Sequence, residues 1–241
     1  MIDTDVSFND SIISLVNHNV DLQNVKFRSL LFSNVLMDVC KEDLETGILT
    51  NQKCPAFNQF LNVSSTTDIV FSETTMNFTD LRNEEWGIDI KESNSVKFIK
   101  STLVGLRTQS IRANATSIMF EHSHLMSVET GAIEIIDSEN LTISKSTIDF
   151  LYEKGIKATV NNVLMIDSTL KNTQRKALMG LVGKTAPSIL VLRNLTLEDP
   201  ARGALITPFN AGIKYYILKC REASLNSSVL KSVNISIWII L

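Results

Sequence analysis

Four charged residues recur at nearly constant spacing: Asp89, Arg112, Glu134 and Lys157, each 22 or 23 positions after the last. Their signs alternate. Glycoside hydrolysis needs two carboxyl groups about 5 to 10 Å apart, one as acid and one as base or nucleophile. Asp89 and Glu134 form such a pair if equivalent positions stack, with Arg112 and Lys157 completing a charged groove floor. The same column has a structural reading, in which opposite charges on neighbouring strands support one another modestly. Exposed ion pairs are common and weak, and that favours the structural reading.

His122 and His124 flank Ser123, with Glu121 adjacent. Two such imidazoles can share a metal, but zinc takes three or four protein ligands and no third stands at a recognisable spacing. The expectation is surface histidines, no metal site and no cofactor. Residues Gly180-Leu181-Val182-Gly183-Lys184-Thr185 end like a phosphate-binding loop but lack the required spacing between glycines.

The elements that carry these residues repeat. An apolar residue followed five positions later by Ser or Asn occurs at Val96/Ser101, Ile118/Ser123, Leu141/Ser146, Val163/Ser168 and Ile189/Asn194. A further apolar residue lies eight positions before the anchor at Ile88 and Ile133. At Ile111 and Ile156 it is one position out of step. Within each repeat, runs of three to five residues alternate apolar and polar, the period of a strand with one buried face. That alternation turns Ile90, Phe98, Ile135 and Ile143 inward. It turns Asp89 and Lys91, Arg112 and Asn114, Glu134 and Ile136, and Lys157 and Thr159 outward.

A small polar residue precedes most anchors: Asn24, Asp68, Ser95, Ser117, Asn140, Asn162 and Ser188. Such residues accept tight turns and left-handed geometry, so the series predicts a stacked turn. The Ser101, Ser123, Ser146, Ser168 and Asn194 series predicts a second ladder of polar side chains bonded between rungs.

Three short strands in each repeat of 22 to 26 residues resemble the right-handed parallel β-helix of the pectate-lyase-like superfamily. One coil cannot bury its apolar edge alone, so stacking makes the core. A leucine-rich repeat is the competing template. It places its Asn after the apolar pairs rather than before them and uses a denser leucine pattern. The resemblance covers residues 57 to 206 and extends back to residue 12, because Val25-Lys26-Phe27 precedes Ile69-Val70-Phe71 by two repeats. The expected organisation is repeats over 1–210, an irregular cysteine-containing loop near 34–58, and a cap or truncated tail over 211–241.

The superfamily's enzymes act on polysaccharides in a groove along one sheet, and Gly87-Ile88-Asp89-Ile90 is similar to the start of a polygalacturonase signature. That signature continues with paired aspartates and a Gly-His-Gly segment. This chain has Ser110-Ile111-Arg112-Ala113 at the next coil and neither motif anywhere. Fold resemblance alone does not carry activity. Asp89, Glu134 and Arg112 are the candidates if the chain is a hydrolase or lyase. Asp89, Arg112, Glu134 and Lys157 are the groove candidates if it binds glycans without cleaving them.

Asn-X-Ser/Thr sequons stand at Asn9, Asn62, Asn77, Asn114, Asn140, Asn194, Asn226 and Asn234, more than composition alone predicts. They suggest an extracellular glycoprotein, although β-helix turns use the same residues. A sugar on Asn114 would sit beside the Arg112 face and obstruct a groove. Cys40 and Cys54 could close a disulfide loop, leaving Cys220 odd. The first residues, Met1-Ile2-Asp3-Thr4-Asp5-Val6, lack the basic and apolar regions of a signal peptide. The expectation is part of a larger secreted or membrane-attached protein. The apolar end, Ile235 to Leu241, is far short of a membrane span and reads best as a terminal strand or cap. A net charge of −3 and a pI near 5.7, with no basic run, argue against nucleic acid as partner. The sequence therefore points to a non-enzymatic surface for an extracellular protein or a polysaccharide. A polysaccharide hydrolase or lyase is the alternative.

Overall fold

A computed structural model of the chain describes residues 68–79, 81, 85–174, 177 and 189–198. It also describes the strands Asp5–Asn9, Ile12–Ser14, Val20–Leu22, Ser29–Ser33, Leu36–Asp38, Leu61–Ser64, Gly180–Val182, Ile217–Leu218, Cys220–Arg221 and Trp238–Ile239. These residues form a parallel β-solenoid of about five turns, a right-handed parallel β-helix as expected, with no helix among them.

Each central coil supplies one long bent strand and one short strand. The long strands Ile88–Ile99, Ile111–Glu121, Ile133–Ser144 and Ile156–Ile166 stack in one parallel sheet. The short strands Thr102–Val104, His124–Val128, Thr147–Leu151 and Thr169–Lys171 stack in a second. The anchor positions stack like on like: Val96 beside Ile118, Ile118 beside Leu141, and Leu141 beside Val163. The inward positions expected from alternation, Ile90, Phe98, Ile135 and Ile143, are all buried.

The core is continuous along the axis. Phe32, Phe71, Phe98 and Phe120 stack with ring centroids 4.9, 4.7 and 4.9 Å apart and nearly parallel planes. This spacing follows from the rung spacing of parallel strands, about 4.8 Å. Small residues occupy the column Gly87, Ser110, Ala132 and Gly155, all buried. At Gly87 a Cβ would lie 2.8 Å from the Ser110 carbonyl oxygen, so this glycine is required by close backbone approach.

The serine ladder exists. The Ser101 amide donates to Ser123 Oγ at 3.1 Å, Ser123 to Ser146 at 3.0 Å, and Ser146 to Ser168 at 3.2 Å. Thr74, whose amide donates to Ser101 Oγ at 3.3 Å, extends the ladder by one coil. Asn194 does not belong to it. Leu190, not Ile189, pairs with Val163, so the last coil is one residue out of the anchor spacing and Leu195 takes the ladder register.

The stacked left-handed corner also differs from expectation. Asp68, Ser95, Ser117, Asn140 and Asn162 begin straight strand segments, where they still form a polar column: Ser95 Oγ donates to Asp68, and Asn162 Nδ2 donates to Asn140 Oδ1 at 2.9 Å. Ile189, rather than Ser188, follows Asn162 in that column. Left-handed backbone occurs instead at Glu73, Lys100, His122, Lys145, Asp167 and Asn194, with φ between 48° and 55°. All six are exposed. Glu, Lys and His are uncommon in this conformation, which favours Gly, Asn and Asp. The buried hydrogen bonds of the adjoining serine ladder offset the backbone strain.

The rung one coil before Ile69-Val70-Phe71 is Leu30-Leu31-Phe32, and the rung two coils before, where the sequence pointed to Val25-Lys26-Phe27, is Val6-Ser7-Phe8. Leu36–Asp38, inside the segment expected to be irregular, is a short strand paired in parallel with Ile12–Ser14. Residues 39–60, with Cys40 and Cys54, lie outside the described residues, as does the disulfide expected between them. Cys220 opens a short strand beside Leu195, and Trp238–Ile239 pairs with Ile217–Leu218. Among the described residues no helix is long and apolar enough to cross a membrane.

Candidate functional site

The charged column assembles as its spacing requires. Arg112 pairs in register with Asp89 on one side and Glu134 on the other, and Glu134 pairs with Lys157. Asn62 precedes the column and Gly180 follows it. Asp89 projects from the outer face, yet it is only 4% exposed because cations crowd it. Arg112 Nε donates to Asp89 Oδ1 at 2.8 Å and its terminal nitrogen to Oδ2 at 2.6 Å, a forked pair. Lys91 Nζ lies 3.2 Å from the same carboxylate. The Arg112 guanidinium carbon lies 5.5 Å from the Trp86 ring centre, within cation–π range. Lys157 donates to Glu134 at 2.7 Å.

These contacts set the electrostatics. Burial pushes the Asp89 carboxyl up, but hydrogen bonds and charge from Arg112, then Lys91, outweigh it and hold the group below its ordinary value. The Arg112 guanidinium is held above its own by the Asp89 hydrogen bonds, against the opposing effect of burial. A general acid needs its proton near neutral pH, which requires a raised value. Asp89 is shifted in the other direction. The column can therefore bind and neutralise charge, and its carboxylates already have cationic partners.

The two histidines do not share a strand face. His122 sits exposed at the left-handed corner, and His124 begins the next short strand. No group of three or more His, Cys, Asp or Glu among the described residues is placed to hold a metal.

The sequons fall into different environments. Asn62 is buried at 8% exposure, and its Oδ1 has no hydrogen-bond partner. Asn77 Oδ1 accepts from the Thr79 amide at 3.0 Å and from Thr79 Oγ1 at 2.6 Å. Asn140 is half-buried in the polar column. Asn194 is exposed, and its amide donates to Asp167 at 2.8 Å. Asn9 lies in the first described strand, and Asn226 and Asn234 lie outside the described residues.

A cleft that sequence reasoning missed adjoins the charged column. Between Ile90 and Ser95, and again between Ile135 and Asn140, the chain has one residue more than between Ala113 and Ser117. Each surplus residue is a bulge with left-handed backbone: Glu92 at φ 55° and Asp137 at φ 51°. Bulges re-aim side chains and commonly border functional sites. Here two bulged coils flank one flush coil, leaving an open cleft of about 500 Å³ floored by Asn114 and Thr116. Ser93, Ser138, Glu139 and Asn161 complete its lining. The signal was present in the sequence: the alternating one-residue offset of Ile111 and Ile156 against Ile88 and Ile133 is the bulge pattern.

No protein-family model, curated protein or solved structure matches the chain.

Proposed function

We propose that this chain is a rigid, non-enzymatic β-helix module of an extracellular glycoprotein, whose outer face contacts a protein or glycan partner. The observation that carries this reading is the state of the charged column. Asp89 is held by Arg112 and Lys91, and Glu134 by Lys157, so both candidate carboxylates serve cross-rung pairing. The depressed Asp89 value opposes its use as a proton donor. Stacked rungs keep side chains at fixed intervals, which limits the ordering cost of binding an extended partner.

The test combines binding and cleavage on one preparation. The purified chain is run through native gels containing acidic, neutral or amino polysaccharides, and the same polysaccharides are assayed for new reducing ends and unsaturated products. Retardation without cleavage is the expected result. Sustained cleavage that disappears in an Asp89→Asn/Glu134→Gln double variant would establish the hydrolase or lyase alternative instead.

A further inference from the structure

We infer that the corner carrying Phe150 and Tyr152 is a stacking platform for an uncharged oligosaccharide. The inference rests on the glycan side of the proposed function and names a place on the outer surface where the glycan binds.

Phe150 is the anomaly that marks the corner. The short-strand sheet ends in a left-handed column, Gly105, Ser127, Phe150 and Asn172, one residue from each of four coils. Glycine and asparagine suit that backbone, and a bulky aromatic is an outlier in it. Phe150 is also 48% exposed, and it is the one exposed large hydrophobic residue among those described. Folding therefore gives this ring neither a relaxed backbone nor burial. Two residues on, past the fully buried Leu151, Tyr152 stands half-exposed on the same turn. Neither aromatic side chain has a ring contact or a hydrogen bond among the described residues. Strain that the fold does not repay, at an exposed position, points to a role in binding.

The neighbouring coils define the ligand. Ser127 and Glu129 flank the two aromatic residues on one coil, and Asn172 and Gln174 flank them on the next. The amides of Glu129, Tyr152 and Gln174 make equivalent bonds to the coil before each, which fixes that register. A hydroxyl, a carboxylate and two amides thus supply donors and acceptors about 4.8 Å to either side of the aromatic pair. A sugar ring has the complementary form, with an apolar C–H face and hydroxyls around its rim. A protein partner does not, because a specific interface covers about 800 Å² of each partner around an apolar centre. Here the apolar surface is two rings wide. The charges beside the platform are already matched: Asn172 Nδ2 donates to Asp149 Oδ1 at 2.8 Å, and Lys171 pairs with Glu198 at 2.9 Å. Glu129 has no ion-pair partner among the described residues and repels an anionic sugar. An uncharged oligosaccharide meets none of these penalties. Its successive rings cover Phe150 and Tyr152, and its rim hydroxyls meet Asn172 and Gln174 on one side and Ser127 on the other.

The experiment titrates the full chain with three uncharged hexamers, of glucose (cellohexaose), of mannose and of N-acetylglucosamine, and follows amide chemical shifts. Glucose and hexagalacturonate serve as comparisons. The expected result is saturable shifts at Ser127, Phe150, Tyr152 and Asn172 with at least one uncharged hexamer below about 10 mM, a range that captures a Kd near 1 mM. Glucose, which covers a single ring, and hexagalacturonate, which is anionic, should each bind at least about tenfold more weakly. Phe150→Tyr keeps the flat ring and should keep binding. Phe150→Leu keeps an exposed apolar side chain without the ring, and should weaken binding about tenfold, the scale of an aromatic anchor, with the unfolding midpoint unchanged. Tyr152→Leu should do the same. Glu73→Gln, in the other left-handed column, should change nothing. No saturation by any of the three hexamers, equal binding of hexagalacturonate, or full binding by Phe150→Leu would overturn the inference. Polysaccharide retardation that persists in Phe150→Leu would sink this site and leave the broader reading standing. Cleavage of a hexamer, with its binding still dependent on Phe150, would keep the site and remove the non-enzymatic reading.

Discussion

Glu92 and Asp137 occupy the same left-handed bulge position on two coils separated by a coil that has no bulge. A non-glycine residue in this conformation carries about 1 to 2 kcal/mol of local strain. Replacing Asp137 by Gly removes the strain and restores some chain entropy to the unfolded state, so the two effects partly cancel. Asp137→Gly should leave stability unchanged or raise it by up to about 1 kcal/mol. Phe150, also left-handed at φ 52° and 48% exposed, should behave alike on replacement by Gly. Denaturant midpoints check both. A loss above about 2 kcal/mol in either variant would mean that the side chain makes a stabilising contact larger than its strain.

The serine ladder makes a stronger claim. Ser123 Oγ accepts the Ser101 amide and lies 3.0 Å from the carbonyl oxygens of Phe98 and Glu121. Ser123→Ala removes the acceptor and leaves a buried amide unpaired. The expected cost is about 1 to 3 kcal/mol. Ser123→Cys, which keeps a weak acceptor of similar shape, should recover part of it. Urea unfolding of the three proteins provides the comparison. A neutral Ser123→Ala would mean that water enters the corner.

How much of this arrangement was legible beforehand depends on what fixes each feature. The inward register of Ile90, Phe98, Ile135 and Ile143 follows from strand alternation and was readable directly. So was the serine ladder, because a buried hydroxyl at constant spacing has few other uses. The left-handed corner was misplaced because its residues, Lys100, His122 and Lys145, are poor left-handed formers held there by their neighbours. The fifth anchor slipped because Ile189 and Leu190 are both apolar and side-chain type could not choose between them. The cleft was hidden for a different reason. Its trace was a one-residue offset, which looks like noise until the rungs are paired.

The Asp89 and Arg112 pair sets an acid limit. The Asp89 carboxyl is held below its ordinary value of 3.8 in the folded state. A depressed folded value means that the unfolded chain binds the proton more readily. The contribution is therefore present above about pH 4 and is lost as pH falls through the lower folded value. Asp89→Asn removes this dependence and should flatten the acid limb of a stability profile below about pH 4. Arg112→Met should flatten it in part, because the larger of the two cationic influences on Asp89 is gone and Lys91 remains. Thermal or denaturant unfolding as a function of pH is the measurement. An acid limb unchanged in Asp89→Asn would assign the sensitivity to other carboxylates.

The phenylalanine column predicts graded damage. Phe98 packs between Phe71 and Phe120 in the stack. Phe98→Ala should cost about 3 to 5 kcal/mol through the cavity it leaves, and Phe98→Leu considerably less. Ile135→Asp places a charge at a fully buried position and should abolish cooperative unfolding of the central coils. Circular dichroism and calorimetry distinguish the three. A folded, cooperative Ile135→Asp would contradict the register.

Sequon use follows from the same burial. Oligosaccharide attached to Asn62 would have to leave a side chain that is only 8% exposed in the column beside Asp89. A coil carrying it could not close. Asn194 stands on an exposed corner, where a sugar costs one hydrogen bond to Asp167. Asn114 lies on the floor of the cleft, and a sugar there would fill it. When the chain is made through a secretory pathway, Asn194 should be occupied and Asn62 bare in the folded fraction. Enzymatic deglycosylation in heavy-oxygen water, followed by peptide mass measurement, reads each site separately. High occupancy at Asn62 in folded protein would mean that this outer face is open where the structure closes it.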